Sequence, residues 1–545
     1  MKKKLLIILS LVLLTLPTVI PFFYSKFFYT QDYIFIARLH QMSAALSDGH
    51  FPVRWVPDLR YGEPIFNFYA ALPYYLGAFI HLLGFNFIWV AKILFVLSSI
   101  LSAITMFIFS QKLFGKKGAY LATALYIYAP YRAVDLYVRG ALSEAWAFVF
   151  FPLIFYTALL LAEKVSLKKV AYLSFSLAGL FLTHNVTTLM FLPFFGLFIL
   201  YLILKQKSWK LIVPFLISLF LGFGLSSFFL LPATFERDFI QTKYLIVGYF
   251  NFRAHFVAVS QFFSTFWGYG SSLWGRDDGL SFQIGLGNWV ILATAVLFAI
   301  IHRKDKKQLL FLAFLGVSFI FSIFLQHNKS AFIWEAIPLM AFIQFPWRFL
   351  AISIFLTATL GGTVAKFFEG RLRIVYFILF IFVTLSSISY FKPKDYADDS
   401  FFDKFLNKET MRKGVDLTKD YLPIWVETTD ASQLNYPEAQ DGKITVSSFE
   451  KKTTKAFSKI NVLADSVIEV PITYFPGWEV SANNKALDLE KPLERGVIRF
   501  KLPKGSYDVK FEFKDTPSRM IGNYLTLISA VVLTAFLTYK LPKNA

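Results

Sequence analysis

Asp32, Arg38, Arg54 and Trp55 follow directly on the first apolar run of this 545-residue chain. Further polar clusters interrupt its hydrophobic background: RGALSE (139–144) with Arg139 and Glu144, THNVTT (183–188) with His184 and Asn185, WGRDDG (274–279) with Asp277 and Asp278, and QFPWRF (344–349) with Gln344, Trp347 and Arg348. An acid can accept a proton, and arginines fork onto phosphate oxygens. Histidine and amide side chains bond hydroxyls, and tryptophans stack on rings. Held at one depth on one side of a membrane, this set has the composition of a pocket for an anionic headgroup and a sugar. Each residue also has a structural reading. Asp32 stands at the expected start of a helix, where an N-cap stabilises by ~1 kcal/mol. Arg38 and Arg54 can bind lipid headgroups, and Trp55 can join an interfacial aromatic belt. Arg139 and Glu144 can be a local ion pair, and Asp277 and Asp278 read as a solvated loop pair before a metal site. Asn185-Val186-Thr187 also matches a glycosylation acceptor pattern.

The elements that position these residues are membrane helices. The chain is 56% hydrophobic, more than a soluble protein of this size can hide. Runs of ~20 apolar residues span a bilayer, and the chain offers twelve candidate runs: 5–23, 88–110, 119–131, 142–162, 169–183, 187–204, 210–232, 286–301, 308–325, 349–367, 373–390 and 519–539. The first follows Lys2–Lys4 and exits through IPFFYSKFFY, which lacks a small-residue cleavage site, so an uncleaved helix is expected. Alternate loops then hold 21 Lys and Arg against Glu163, Asp305 and Glu369, which is +18 of the chain's net +20. Those basic residues include Arg303, Lys366, Arg371, Arg373, Lys540 and Lys543. Positive residues kept inside orient helical membrane proteins. The charge is therefore an orientation signal, with both termini cytoplasmic, and nucleic acid is not expected as a partner. With no cysteine, disulfides and thiol chemistry are excluded.

The outside segments are the long ones: 24–87, 233–285, 326–348 and 391–518. From Phe35 the first can form an amphipathic helix with Phe35, Leu39, Met42 and Leu46 on one stripe, suited to the membrane interface. Segment 391–518 is polar with short alternating runs. VIRFKL (497–502), the turn PKGS (503–506) and YDVKFEFK (507–514) read as a β-hairpin, and VIEVPITYFPGW (467–478) as a strand entering a Pro-Gly turn. The expected organisation is a transmembrane domain over 1–390, an extracytoplasmic β domain over 391–518, and a last helix with a tail over 519–545.

Five segments, GHFPVRWVPDLRYGEPIFNFYAALPYYL (49–76), RGALSEAWAFVFFPL (139–153), THNVTTLMFLP (183–193), QFPWRFL (344–350) and YFPGW (474–478), carry a resemblance over nearly the whole chain. They are similar, in order, to bacterial membrane proteins labelled 6-pyruvoyl-tetrahydropterin-synthase-related. More broadly, an acid in the first outside loop of a many-helix membrane protein resembles the GT-C class of glycosyltransferases. The resemblance implies a polytopic α-helical, GT-C-like fold of about twelve transmembrane helices, with a β-sandwich-like domain before the last. It implies sugar transfer from a polyprenyl-phosphate donor to an extracytoplasmic glycan, lipid or protein acceptor. Asp32 is then the general base, Arg139, Arg348 or Arg54 meet the phosphate, and Trp55 and Trp347 stack on sugar or lipid. One departure puts catalysis in question: the family pattern has histidines at the positions held here by Gln31 and Phe35. No cofactor is fixed, and a divalent metal stays open. The competing classes are a lipid or polysaccharide transporter or flippase, and a non-catalytic scaffold. A transporter would place ionisable groups near mid-membrane. Among the expected spans Lys92 stands out, near an outer helix end, where it can snorkel or meet a lipid phosphate.

Overall fold

The computed structural model describes residues 2–301, 304–368, 373–413, 421–427 and 434–539. Of the inside-loop charges expected from sequence, Arg303, Glu369, Arg371, Lys540 and Lys543 lie outside the described residues. Within 391–518, residues 414–420 and 428–433 do too.

The apolar runs fold as helices: α1 (Lys2–Thr15), α2 (Phe35–Ser47), α3 (Leu72–Leu82), α4 (Phe87–Ile127), α5 (Leu142–Glu163), α6 (Leu167–Phe181), α7 (Asn185–Gln206), α8 (Ile212–Leu225), α9 (Ser227–Phe235), α10 (Leu286–Ile301), α11 (Lys306–Gln326), α12 (Leu350–Val364), α13 (Arg373–Ile388) and α14 (Pro517–Thr538). Six helical stretches among the described residues are long and apolar enough to cross a membrane, or seven if the bent pair Trp209–Leu225 and Ser227–Phe235 is one span. α10 and α13 are apolar but shorter. Two expected runs, 88–110 and 119–131, merge into α4, broken where Gly115 takes φ 73°. α4 packs against α5 and α12, and α8 packs against α6 and α14.

α2 differs from its expected role. Its stripe predicts a helix lying on the membrane surface, but Ile36, Ala37, Arg38, Gln41 and Ala45 are buried along with Phe35, Leu39 and Met42. It packs against α3 and α4, so the loop fold covers its second face. Lys92 also differs. Its ammonium is buried and donates to the carbonyls of Tyr24 (2.6 Å) and Ser25 (2.8 Å), fastening the exit of the first apolar run rather than meeting lipid.

The chain bends by 76° between α8 and α9. Backbone groups freed by such a bend need new partners. Arg54 donates to the Phe228 carbonyl, whose helical donor four residues on would be the N–H that Pro232 lacks, and to Asn523 Oδ1 (2.7 Å), and it pairs ionically with Asp515 (3.3 Å). The Thr526 hydroxyl accepts from the Phe228 amide at 2.9 Å. Arg54 thus joins the first loop to α9 and α14, where its guanidinium is engaged by protein groups.

Seven strands form one antiparallel sheet: β1 (Glu438–Lys451), β2 (Lys455–Thr473), β3 (Trp478–Ala482), β4 (Lys485–Leu487), β5 (Leu489–Glu490), β6 (Val497–Leu502) and β7 (Gly505–Phe513). Their order is β4-β3-β7-β2-β6-β5, with β1 also on β2. The strand into the Pro-Gly turn forms as read, with Gly477 at φ 112°. The hairpin does not. β6 pairs with the C-terminal part of β2 and β7 with its N-terminal part, both antiparallel. Residues 497–513 therefore run as one strand kinked at Pro503-Lys504, where Asp465 accepts the Lys504 amide at 2.8 Å. Between the pairs Ser466–Leu502 and Val462–Gly505, β2 advances four residues and its partner three. That bulge absorbs the change of phase that read as a turn.

Trp55 also corrects its sequence reading. It is fully buried in the sheet's core, with ring centroids 5.2 Å from Phe513 and 5.5 Å from Trp478. A Cβ on Gly62, at φ 110°, would sit 2.5 Å from its ring. Arg519, fully buried, bonds Glu236 at 2.8 Å and 3.1 Å and the Pro476 carbonyl at 3.0 Å. These contacts tie sheet, loops and membrane helices together.

Candidate active site

RGALSE builds one wall through its glycine. Residues Val134–Arg139 form a wide π-type turn that ends at Gly140, with φ 67° and ψ 33°. A Cβ there would lie 2.5 Å from Thr30 Oγ1 and 2.6 Å from the Asp32 carbonyl oxygen, so both the left-handed backbone and the close approach require glycine. The approach lets the Gln31 amide bond the Val138 carbonyl (2.9 Å) and the Asp32 amide bond the Arg139 carbonyl (2.8 Å). The first loop is thereby fixed against the root of α5. Asp32 is not a helix cap: α2 begins at Phe35 after Ile34, with no side-chain cap bond.

QFPWRF builds the facing wall. Gln344 takes φ 66°, an uncommon conformation for a residue with a side chain. Its amide donates to the Leu245 carbonyl at 2.9 Å. Pro346 then opens a 3₁₀ turn, Pro346–Phe349, that leads into α12. Trp347 stacks on Phe345 with centroids 5.0 Å apart, and the Arg139 guanidinium lies 4.8 Å from the Trp347 ring centre. THNVTT supplies the third wall as the first turn of α7, with His184 as its N-cap residue and the Asn185 amide donating to the Phe68 carbonyl at 2.9 Å.

These walls enclose a cavity of ≈ 910 Å³. Asp32, Arg38, Arg139, His184, Asn185, Gln344, Trp347 and Arg348 all line it. Glu144 lies behind, accepting from the Tyr131 hydroxyl (2.7 Å) and Arg139 (2.8 Å), with Arg348 Nε at 4.0 Å. Arg139 also pairs with Asp135, so it is held by two carboxylates and is not the free phosphate ligand its position suggests. Arg348 donates to the Ile343 carbonyl (2.9 Å) and Gln344 Oε1 (3.1 Å). The Arg38 guanidinium lies 4.3 Å from the Tyr69 ring centre. Nε of Arg38, Nε of Arg348 and Nε1 of Trp347 are buried without a hydrogen-bond partner among the described residues.

Burial pushes the Asp32 carboxyl above its ordinary range, against the opposing pull of Arg38, the Ile34 amide, Arg139 and Arg348. Burial also lowers His184 to about 3; Glu144 opposes this, while Arg348 and Arg139 add to it. His184 is therefore neutral at neutral pH. Asp135 is driven well up by burial and by Glu144.

Arg54 and Trp55 lie outside the cavity, in the contacts described above. Asp278 is 8% exposed and accepts from the Leu273 amide and Gln261, both at 2.7 Å, so it staples its loop instead of facing solvent. Among the described residues no group of three or more His, Asp or Glu side chains is placed to hold a metal ion. Sequence reasoning missed Tyr69, Tyr249, Arg237 and Tyr421, which also line the cavity. It missed Asp135 as well, although its i, i+4 spacing to Arg139 was a usable signal.

Comparison with known proteins matches residues 66–393 to the model of a family described as 6-pyruvoyl-tetrahydropterin synthase related domain; membrane protein. A protein of Lactococcus lactis subsp. cremoris (strain MG1363), described as uncharacterized, is 30% identical over 235 residues, which is 40% of this chain and 38% of that protein. Among solved structures, ArnT from Cupriavidus metallidurans bound to undecaprenyl phosphate is similar with a TM-score of 0.41 and 12% identity, over 69% of this chain and 62% of that one. The Archaeoglobus fulgidus oligosaccharyltransferase in the apo form is similar with a TM-score of 0.47 and 12% identity, over 73% of this chain and 57% of that one. This chain spans less than two thirds of the length of each of these relatives.

Proposed function

We propose that this chain, which belongs to the 6-pyruvoyl-tetrahydropterin-synthase-related family of membrane proteins, is a membrane glycosyltransferase. It moves a sugar from a polyprenyl-phosphate donor to an extracytoplasmic glycan, lipid or protein acceptor. Both termini face the cytoplasm and the cavity faces outward. One observation carries this reading: a single carboxylate, Asp32, shares one cavity with Arg38, Arg139 and Arg348. The same cavity has an apolar side of Val186, Leu189, Leu339 and Phe342.

The acceptor oxygen attacks the anomeric carbon while the bond from that carbon to the phosphate oxygen breaks. The bonding electron pair stays on the phosphate, and the acceptor proton passes to Asp32. A carboxylate whose proton affinity is raised by burial is a stronger base than a solvated one, and such positioned transfer contributes ~10²–10⁴-fold. The charge developing on the phosphate meets Arg348 and Arg38, which line the cavity. Arg139 lies on Trp347, held by Asp135 and Glu144, and shapes the field around them. Tyr69 and Trp347 offer rings for a sugar face, and the apolar side suits an isoprenoid chain.

The test incubates purified protein in detergent with a synthetic polyprenyl-phosphate sugar and glycan, lipid and peptide acceptors. The expected result is donor consumption with a matching glycosylated product. Movement of the donor lipid across reconstituted vesicles with no sugar transfer would overturn the reading in favour of a transporter.

A further inference from the structure

We infer that Thr187 fixes the His184 ring in one tautomer, so that Nε2–H is a neutral hydrogen-bond donor in the cavity, placed for an oxygen of the departing phosphate. The inference rests on the function proposed above. His184 precedes α7 with an extended backbone, φ −159° and ψ 112°. Its Nδ1 lies 2.6 Å from Thr187 Oγ1. Either atom can be the donor, and the surroundings decide.

Thr187 is fully buried. Its neighbour Thr188 bonds the helix backbone, to the His184 carbonyl at 3.0 Å and the Leu180 carbonyl at 3.2 Å. The Thr187 hydroxyl has no such bond, and His184 Nδ1 is its one partner among the described residues. If Nδ1 carried the ring proton, the hydroxyl hydrogen would be buried with no acceptor, a costly arrangement. The hydroxyl therefore donates to Nδ1, and the ring proton sits on Nε2. His184 lines the cavity, and no described residue bonds Nε2.

The charged groups facing the ring are Glu144 and Arg348 and Arg139. Glu144 is engaged by Tyr131 and Arg139, and burial beside two guanidinium groups keeps the ring uncharged. A neutral donor suits this place. A third cation would hold the phosphate product as firmly as the transition state, whereas a neutral N–H strengthens its bond as charge develops on the leaving oxygen. The first turn of α7 adds unpaired amides of the same polarity. No proton leaves His184 in this scheme. Thr187 is a positioning residue acting through it.

Two measurements test the assignment. Nitrogen NMR of histidine-labelled full-length protein in detergent, with His184 assigned by its loss in His184→Gln, reports the proton's place directly. Wild type and Thr187→Ser are expected to show the neutral Nε2–H form at pH 7, and Thr187→Val to lose it. In sugar transfer, Thr187→Val is expected to lower turnover about two- to tenfold with little change in donor KM, with Thr187→Ser near wild type. His184→Ala is expected to fall ~10²-fold or more, with His184→Gln retaining more activity. The wild-type rate profile should show no histidine ionisation between pH 5 and 8. A wild-type ring that is cationic or carries its proton on Nδ1 at pH 7 overturns the inference, as does an unchanged tautomer in Thr187→Val. A wild type that transfers no sugar but has the Nε2–H ring locked by Thr187 would overturn the proposed reaction and, with it, the donor's phosphate role, while leaving the Thr187 lock standing.

Discussion

Asp32→Asn separates chemistry from structure at the residue on which the proposed function turns. Asparagine keeps size and polarity and loses proton acceptance. Had Asp32 been a helix cap, the change would matter little, because asparagine caps as well as aspartate. The structure removes that role and adds a cost. The Asp32 carboxyl is buried, and its proton affinity in the folded state is raised above the ordinary carboxylate value. The native state therefore holds that proton more tightly than the unfolded chain does. The group's contribution is favourable below the unfolded pKa and is lost as pH rises through the raised folded pKa. At pH 7 the buried carboxylate is a net burden, so Asp32→Asn is expected to unfold no more easily than wild type, and the gap in its favour should close as pH falls toward 4. Turnover is expected to move the other way, down ~10²-fold or more. Donor binding should persist, because Arg38, Arg139 and Arg348 are untouched and the site gains net positive charge. The wild-type rate should fall on the acid side at a higher pH than a solvated carboxylate would give. The assays are thermal unfolding in detergent at pH 4 and 7, and initial rates of transfer from a synthetic polyprenyl-phosphate sugar. Turnover equal to wild type would refute Asp32 as the base. A large loss of stability at pH 7 would refute the account of its burial.

Trp55→Ala removes a fully buried ring from the core of the sheet and should cost roughly 3–5 kcal/mol, read as early proteolysis of 438–513 with donor binding in the cavity retained. Gly140→Ala introduces a Cβ against Thr30 and the Asp32 carbonyl at a left-handed backbone position costing ~1–2 kcal/mol. Turnover should fall by more than the loss of melting temperature explains, because the first loop that carries Asp32 is displaced. Protease added to intact cells should cut within 391–518 and leave tags at both termini intact, and removal of the tags would reverse the orientation.

Much of the helical layout was legible because each run carries its own signal: length, hydropathy and a basic exit. What was not legible depended on partners distant in sequence. α2 has one clear apolar stripe, and nothing local says that its opposite face, with Arg38 and Gln41, is also covered. Alternation in 497–513 was read correctly as strand. Whether PKG turned the chain back or only kinked it was decided by β2, a 19-residue strand long enough to pair with β7 and then β6. A bulge and a hairpin turn leave the same phase change in one sequence. The partner strand alone distinguishes them.

The site shows the same division more sharply. Arg38 and Arg54 stand 16 residues apart in one loop and have equal claims as phosphate ligands from sequence. They part because Pro232 leaves the Phe228 carbonyl of α9 without its helical donor, and Arg54 donates there instead. Trp55 and Trp347 part likewise: one fills the core of the sheet and the other lies in the cavity beneath Arg139. RGALSE was recognisable as polar residues at the start of a helix, but its glycine carries the geometry, by letting the Asp32 backbone approach. Arg139 shows where counting cations fails. Its charge is offset by Glu144 and it also bonds Asp135, whose proton affinity is raised. The positive field left over in the cavity therefore belongs chiefly to Arg38 and Arg348. A sequence gives the number of charges near a site, whereas their availability depends on second partners such as Asp135, and those are assigned by the fold.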